Sequence, residues 1–130
     1  ALRKASDIAV QFQSKVFLLH VIDHHFRQFG PDYRLDDSVI AQIDAESVKY
    51  TEERLQKEVD TVAEAKQIEI TFDIQKGHPA EVILQEQRAK EIDLIVIGSL
   101  GRSGVLKHLI GSVADKVVSG ADCSVLVVKA

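Results

Sequence analysis

The chain has 130 residues and a mass of 14.4 kDa, with 16 lysines and arginines against 20 aspartates and glutamates. The formal charge of −4 argues against a nucleic-acid-binding protein, which needs a basic face to displace counterions. Apolar runs stay far below the ~20 residues of a membrane span, and the chain opens without an apolar signal segment. The single cysteine excludes a disulfide framework, so we expect one cytoplasmic domain over residues 1–130.

The first part of the chain predicts a helix followed by a buried strand. Apolar residues recur at helical spacing over residues 1–14, with no capping residue before them. The β-branched, apolar run over residues 16–22 is typical of a strand covered on both faces of a parallel sheet. Residues 23–37 are polar and contain a Gly-Pro pair, which predicts a loop.

The middle of the chain predicts a long helix, an edge strand and a second helix. Ser38 is the predicted N-cap of an amphipathic helix over residues 39–66, which lack glycine and proline. Strict alternation over residues 68–74 predicts a half-buried strand at a sheet edge. Gly77 ends that strand, and Pro79 suits the first turn of the next helix.

The last part predicts two more strands around a helix. Residues 93–97 and 124–128 are apolar strands, and a helix begins near Ser112 with Val113, Val117 and Val118 on its buried side. Gly120 is its predicted C′ residue. Regular alternation of helices and apolar strands predicts a parallel α/β sheet with right-handed crossovers.

A glycine-rich loop is the main candidate for a ligand-binding site in this sequence. Four of the seven glycines fall between Gly98, at the end of a predicted strand, and Gly111, at the start of a predicted helix. Ligands bind at this position in open α/β sheets, where glycines and a helix N-terminus present N–H groups to phosphate. The spacing is not that of a Walker A loop, a dinucleotide fingerprint or a nucleophile elbow. It predicts a phosphate-binding loop, with a ligand-free strand-to-helix turn as the alternative.

The order Gly98-x2-Gly101-x9-Gly111-Ser112 resembles the nucleotide loop of the ATP-binding branch of the universal stress protein family. The segments Leu-Leu-His-Val-Ile-Asp, Asp-Leu-Ile-Val-Ile-Gly-Ser and Cys-Ser-Val-Leu-Val-Val-Lys are similar to strands of that family, so the resemblance covers essentially the whole chain. It implies a single-domain, open parallel, Rossmann-like sheet of the adenine nucleotide alpha hydrolase-like type. The sheet has five strands in the order 3-2-1-4-5 with helices on both faces. The family's first strand is missing from this chain, and we expect further N-terminal residues to supply it.

The resemblance also implies a nucleotide site. Backbone amides of the glycine loop and the following helix hold the phosphates, together with the Ser112 hydroxyl. Ile97 and Gly98 line the ribose and adenine side, and the backbone of Val21 meets the adenine edge. The nucleotide-binding residues implied are Val21, Ile97, Gly98, Leu100, Gly101, Arg102, Gly111, Ser112 and Val113.

The implied function is that of a stress-response regulator that binds ATP or AMP, with Mg²⁺ as a further candidate ligand. A homodimer through the terminal strand, Val125 to Val128, is expected, because an exposed apolar edge strand otherwise promotes aggregation. Two alternatives stay open. One is a nucleotide-free, dimeric interaction module of the same fold. The other is a slow ATPase or an autophosphorylating protein with Ser112 as acceptor, although no clear general base accompanies the loop.

A histidine cluster and the single cysteine are two further candidate sites. His20, His24, His25 and Asp23 have zinc-ligand chemistry, but adjacent histidines diverge and His20 falls in an apolar strand, which disfavours a metal site. Cys123 has no neighbouring basic residue, so we expect a buried, inert thiol.

Overall fold

A computed structural model describes residues 1–23, 37–100 and 110–129. Helices and strands alternate along them, as the sequence predicts. Their bounds in chain order are α1 Leu2–Phe12, β1 Val16–Ile22, α2 Asp37–Lys66, β2 Ile70–Lys76, α3 Pro79–Ala89, β3 Leu94–Gly98, α4 Ser112–Gly120 and β4 Ser124–Val128. None of the helices in these three stretches is long and apolar enough to cross a membrane.

Local backbone chemistry explains two boundaries that differ from prediction. Helix α2 already begins at Asp37, so Ser38 lies in its first turn and the predicted N-cap is wrong. Strand β2 begins two residues later than predicted. Gln67 adopts a left-handed backbone conformation with a φ of 54°, and the Ile68 amide donates a hydrogen bond to the Ala63 carbonyl at 3.3 Å. Ile68 therefore ends the helix instead of starting the strand.

The strands form two parallel pairs in the described residues. All seven residues of β1 pair in register with β2, from Val16 opposite Ile70 to Ile22 opposite Lys76. All five residues of β3 pair with β4 in the same way. Helix α1 contacts both β1 and β3, one strand of each pair.

The helices pack against the strands and against one another. Helix α2 connects β1 to its parallel neighbour β2, and helix α4 connects β3 to its parallel neighbour β4. Helix α1 packs on α2, and α3 packs on α4.

The buried core lies mainly in the helices and at their contacts with the strands. Its apolar members among the described residues are Ala9, Leu55, Val59, Ala80, Val82, Ala114 and Val117. The expectation that β1 is covered on both faces is wrong, because each of its seven residues is only half-buried. The same holds for β3. A cleft lined by residues 16–19 of β1 and residues 94–97 of β3 exposes them.

Helix α4 corrects two further expectations. Val118 was expected on the buried side but is 47% exposed, and Ala114 and Val117 fill that side instead. Gly120 is the last helical residue and has no positive φ, so it is not a C′ glycine. It is needed for close packing, since a Cβ there would lie 2.8 Å from Leu84 Cδ1 on α3.

Candidate functional site

The end of β3 is joined directly to the start of α4. The Ser99 amide donates to the Val128 carbonyl at 2.9 Å, which extends the β3–β4 ladder by one residue. The Gly111 amide then donates to the Ser99 carbonyl at 2.6 Å. Because Ser99 is buried, at 7% exposure, this bond holds the helix start against the carboxyl end of the sheet.

The first turn of α4 presents N–H groups that have no partner among the described residues. Gly111 is the N-cap residue in an extended conformation, with φ −61° and ψ 159°, and its carbonyl accepts the Asp115 amide at 3.0 Å. No side chain of the described residues caps this turn. The amides of Ser112, Val113 and Ala114 therefore have no intrahelical acceptor, and the helix dipole adds partial positive charge there. This arrangement suits an anion such as phosphate.

Gly98 differs from the other glycines near packed elements. Gly77 has a φ of +144°, which favours glycine, and Gly120 is held close to Leu84. At Gly98 an added Cβ would meet only the Leu100 carbonyl oxygen, at 3.9 Å, among the described residues. The fold of the described residues therefore does not require glycine at 98.

The predicted site residues are partly brought together. Ile97 and Gly98 end β3 opposite Val127 and Val128, and Leu100 follows at the surface, half-buried. Val21 occupies the equivalent penultimate position of β1, opposite Gln75, at the same end of the strands. The described residues that converge on the helix start are Ile97, Gly98, Gly111, Ser112 and Val113. Gly101 and Arg102 lie outside the described residues.

The sequence analysis missed two backbone groups that shape the candidate site at the start of α4. The Ser99 carbonyl positions Gly111, and the Ala114 amide is a third free donor of the α4 turn. The second could have been found, because every helix start leaves its first amides without intrahelical partners. The role of the Ser99 carbonyl could not have been found, because the residue type serine does not indicate which group its backbone carbonyl bonds.

The smaller candidates change little. Groups of three or more potential metal ligands do not occur within the described ranges, and His24 and His25 fall outside them. Cys123 is half-buried instead of fully buried, with Sγ 3.4 Å from the Ser124 carbonyl oxygen.

Comparisons with known proteins cover nearly the whole chain. The family model described as the universal stress protein family matches residues 1–129. A universal stress protein of Methanocaldococcus jannaschii is 33% identical over 129 residues, 99% of this chain and 73% of that protein. Universal stress protein A homolog 2 of Coxiella burnetii is 32% identical over 128 residues, 97% of this chain and 82% of that protein.

Solved structures share the fold. UspA of Lactobacillus plantarum matches with a TM-score of 0.81 at 24% identity, over 98% of this chain and 86% of its own. A universal stress protein in complex with cAMP matches with a TM-score of 0.61 at 21% identity, over 97% and 82%. An Arabidopsis thaliana family protein with AMP bound matches with a TM-score of 0.56 at 20% identity, over 98% and 76%.

Proposed function

The chain belongs to the universal stress protein family, and from this membership we propose that it is a regulatory stress protein that binds an adenine nucleotide, ATP or AMP. The observation that carries the proposal is the α4 N-terminus, where the amides of Ser112, Val113 and Ala114 have neither an intrahelical acceptor nor a side-chain cap among the described residues. Two proteins of the same fold are named with cAMP and AMP bound, which favours adenine as the base.

The proposed pose follows from the donors. The amides of Ser112, Val113 and Ala114, with the Ser112 hydroxyl, surround the phosphates, and Gly101 and Arg102 add contacts from the loop. The sequence analysis implied the Gly111 amide as a further donor, but that amide is already bonded to the Ser99 carbonyl, so Gly111 positions the turn instead. Ile97 and Gly98 then lie under the ribose. The backbone of Val21, at the end of the neighbouring strand pair, meets the adenine edge, and Leu100 closes the phosphate end by shape. Mg²⁺, where it is bound, takes its ligands mainly from phosphate and water.

Calorimetric titration with ATP, AMP and cAMP tests this proposal. The matched variants are Gly98→Val and Gly98→Ala, because both add a Cβ that the fold tolerates but only valine fills the proposed ribose space. We expect Gly98→Val to remain folded and to weaken binding at least about tenfold relative to Gly98→Ala, the loss of roughly one good contact. Absence of binding of any of the three by the wild type at millimolar concentration would favour the nucleotide-free interaction module.

We also propose a homodimer through the free edge of β4. The Val128 carbonyl accepts the Ser99 amide, so the backbone of Val128 points towards β3 and that of Val127 points outward. Val127→Pro removes an outward N–H and leaves the β3 ladder intact. We expect wild type to sediment as a dimer and Val127→Pro as a folded monomer. A wild-type monomer at all concentrations would contradict the dimer.

The finer sheet order and the location are proposals of the same kind. A fifth strand between the two pairs would give the family's 3-2-1-4-5 order, with β2-β1 on one side of it and β3-β4 on the other. The single, half-buried Cys123 suits a reducing compartment, so we propose a cytoplasmic location.

A further inference from the structure

The backbone of β2 has an inner edge bonded to β1 and an outer edge that faces away from it. The Val16 amide donates to the Glu69 carbonyl at 3.0 Å, and the Gly77 amide donates to the Ile22 carbonyl at 3.1 Å. Because the bonding groups of successive strand residues point to opposite edges, the odd-numbered residues of β2 bond β1. The residues that direct their N–H and C=O groups to the outer edge are therefore 70, 72, 74 and 76.

This outer edge has no strand partner in the described residues, where β2 pairs with β1 alone. An unpaired edge of this kind is a template for a strand of another chain unless something blocks it. The outward N–H groups of Phe72 and Lys76 have no acceptor within the same part of the chain. Pairing with a second copy would supply one.

The outward amide of Ile74 is the exception, because a side chain already occupies it. The Ile74 N–H donates to Asp73 Oδ1 at 2.9 Å, so the carboxylate of Asp73 lies on the outer edge of the strand. An incoming strand would have to bring a carbonyl oxygen to this amide. A carboxylate only accepts hydrogen bonds, so the carbonyl would meet a second acceptor with a negative charge. A ladder through Ile74 therefore loses an existing bond and adds a repulsion.

Gln75 holds this carboxylate in place. Its Nε2 donates to Asp73 Oδ2 at 3.1 Å and to Glu86 Oε1 on α3 at 2.5 Å. Asp73 and Gln75 are two residues apart in the strand, so their side chains lie on the same face of β2. Both carboxylate oxygens of Asp73 are thus engaged, and moving the group away from the edge breaks two hydrogen bonds.

Self-pairing of this edge would also bring two copies of Asp73 together. A two-fold antiparallel pair that uses all the outward residues places residue 70 opposite residue 76 of the second copy, and residue 72 opposite residue 74. Its axis then passes between the two Asp73 residues, at a non-hydrogen-bonded position, where opposed side chains approach most closely. Like charges directly opposite each other destabilise a strand pair.

The outer edge of β4 has a different chemistry. The Ser99 amide donates to the Val128 carbonyl, so Val125 and Val127 direct their backbone groups away from β3. The strand reads Ser-Val-Leu-Val-Val and contains no charged residue. The outer edges of β2 and β4 therefore differ in that only β2 carries a carboxylate fixed on an outward amide.

We propose that Asp73 determines which edge of this protein associates with a second copy. Its carboxylate closes the outer edge of β2 to strand pairing and leaves the outer edge of β4 open. The choice between the two edges rests on the homodimer proposed for β4, whereas the closure of β2 does not.

Sedimentation of Asp73→Val in the Val127→Pro background tests the closure, since proline blocks the β4 edge. Valine removes the carboxylate, frees the Ile74 amide and suits a strand. We expect Val127→Pro alone to sediment as a monomer and the double variant of the full-length protein to associate at least about tenfold more strongly. In that dimer the amides of Phe72 and Ile74 should gain protection from hydrogen exchange as the concentration rises.

Thr71→Val is the matched control. Thr71 is exposed, lies on the same face of β2 as Asp73 and has its backbone bonded to β1. Its replacement adds apolar surface but keeps the carboxylate, so the sedimentation of Val127→Pro should not change. Asp73→Asn removes the charge and keeps an oxygen for the Ile74 amide. It should associate more strongly than Val127→Pro alone and less strongly than Asp73→Val, and it provides the test if valine prevents folding.

Three results would overturn the closure of β2. They are no gain in association by a folded Asp73 variant, an equal gain by Thr71→Val, and protection of the Phe72 amide that rises with concentration in the wild type. Equal sedimentation of the wild type and Val127→Pro would contradict the β4 homodimer and the choice of edge. It would leave the closure standing, because the Asp73 comparison is made within one background.

Discussion

Replacement of Ser112 by proline tests the phosphate site by removing one backbone N–H group together with the serine hydroxyl. Ser112 is the first helical residue of α4, where proline fits because its fixed φ is helical and its missing N–H has no intrahelical acceptor. Proline also requires an extended conformation in the preceding residue, and Gly111 already has φ −61° and ψ 159°. The substitution therefore removes one amide and one hydroxyl without disturbing the helix.

The magnitude follows from the bond that is lost. A hydrogen bond from this amide to a phosphate oxygen is charge-assisted and contributes ~1.5–3 kcal/mol. Binding of ATP or AMP should therefore weaken by roughly 10- to 150-fold. The free energy of unfolding should stay equal or rise by ~0.4–1 kcal/mol, because proline restricts the unfolded chain at a compatible position.

The assay is calorimetric titration of wild type, Ser112→Pro and Ser112→Ala, with urea denaturation of each. Ser112→Ala retains the amide and loses the hydroxyl, so the difference between the two variants isolates the N–H group. The reasoning is refuted if Ser112→Pro is folded and binds nucleotide within twofold of Ser112→Ala.

Three further outcomes are expected. Gly111→Ser, whose hydroxyl can cap the amides of the next residues, should raise the free energy of unfolding by a few tenths of a kcal/mol and weaken nucleotide binding, as urea denaturation and calorimetry would reveal. The pKa of Glu86 is lowered from 4.5 by hydrogen bonds from Lys90 and then Gln75, so stability should fall as pH drops through that lowered pKa. Urea denaturation at pH about 6 and about 3 should show a smaller drop in Glu86→Gln, and an equal drop would contradict this. Gly120→Ala should lower the free energy of unfolding by ~1 kcal/mol, since its Cβ would displace the Leu84 side chain. This loss should vanish in a Leu84→Val background, which lacks the displaced atom, as thermal unfolding of the wild type, the two single variants and the double variant would show.

Local patterns in the sequence were enough to predict the elements and the helix start at Ser112. The apolar runs locate β1 and β4 to the residue, and Pro79 places the start of α3, because strand burial and proline's fixed φ act over a few neighbours. The glycine spacing before Ser112 likewise anticipates a helix start with free amides, which every helix has.

Tertiary structure decided what depends on residues distant in sequence. The role of Gly120 comes from Leu84 on another helix, and the anchoring of Gly111 comes from a buried carbonyl at Ser99. The half-exposed state of β1 follows from which strand lies beside it, and not from its composition. The sequence shows which residues are apolar, whereas only the packed arrangement of the helices and strands shows which of them are covered.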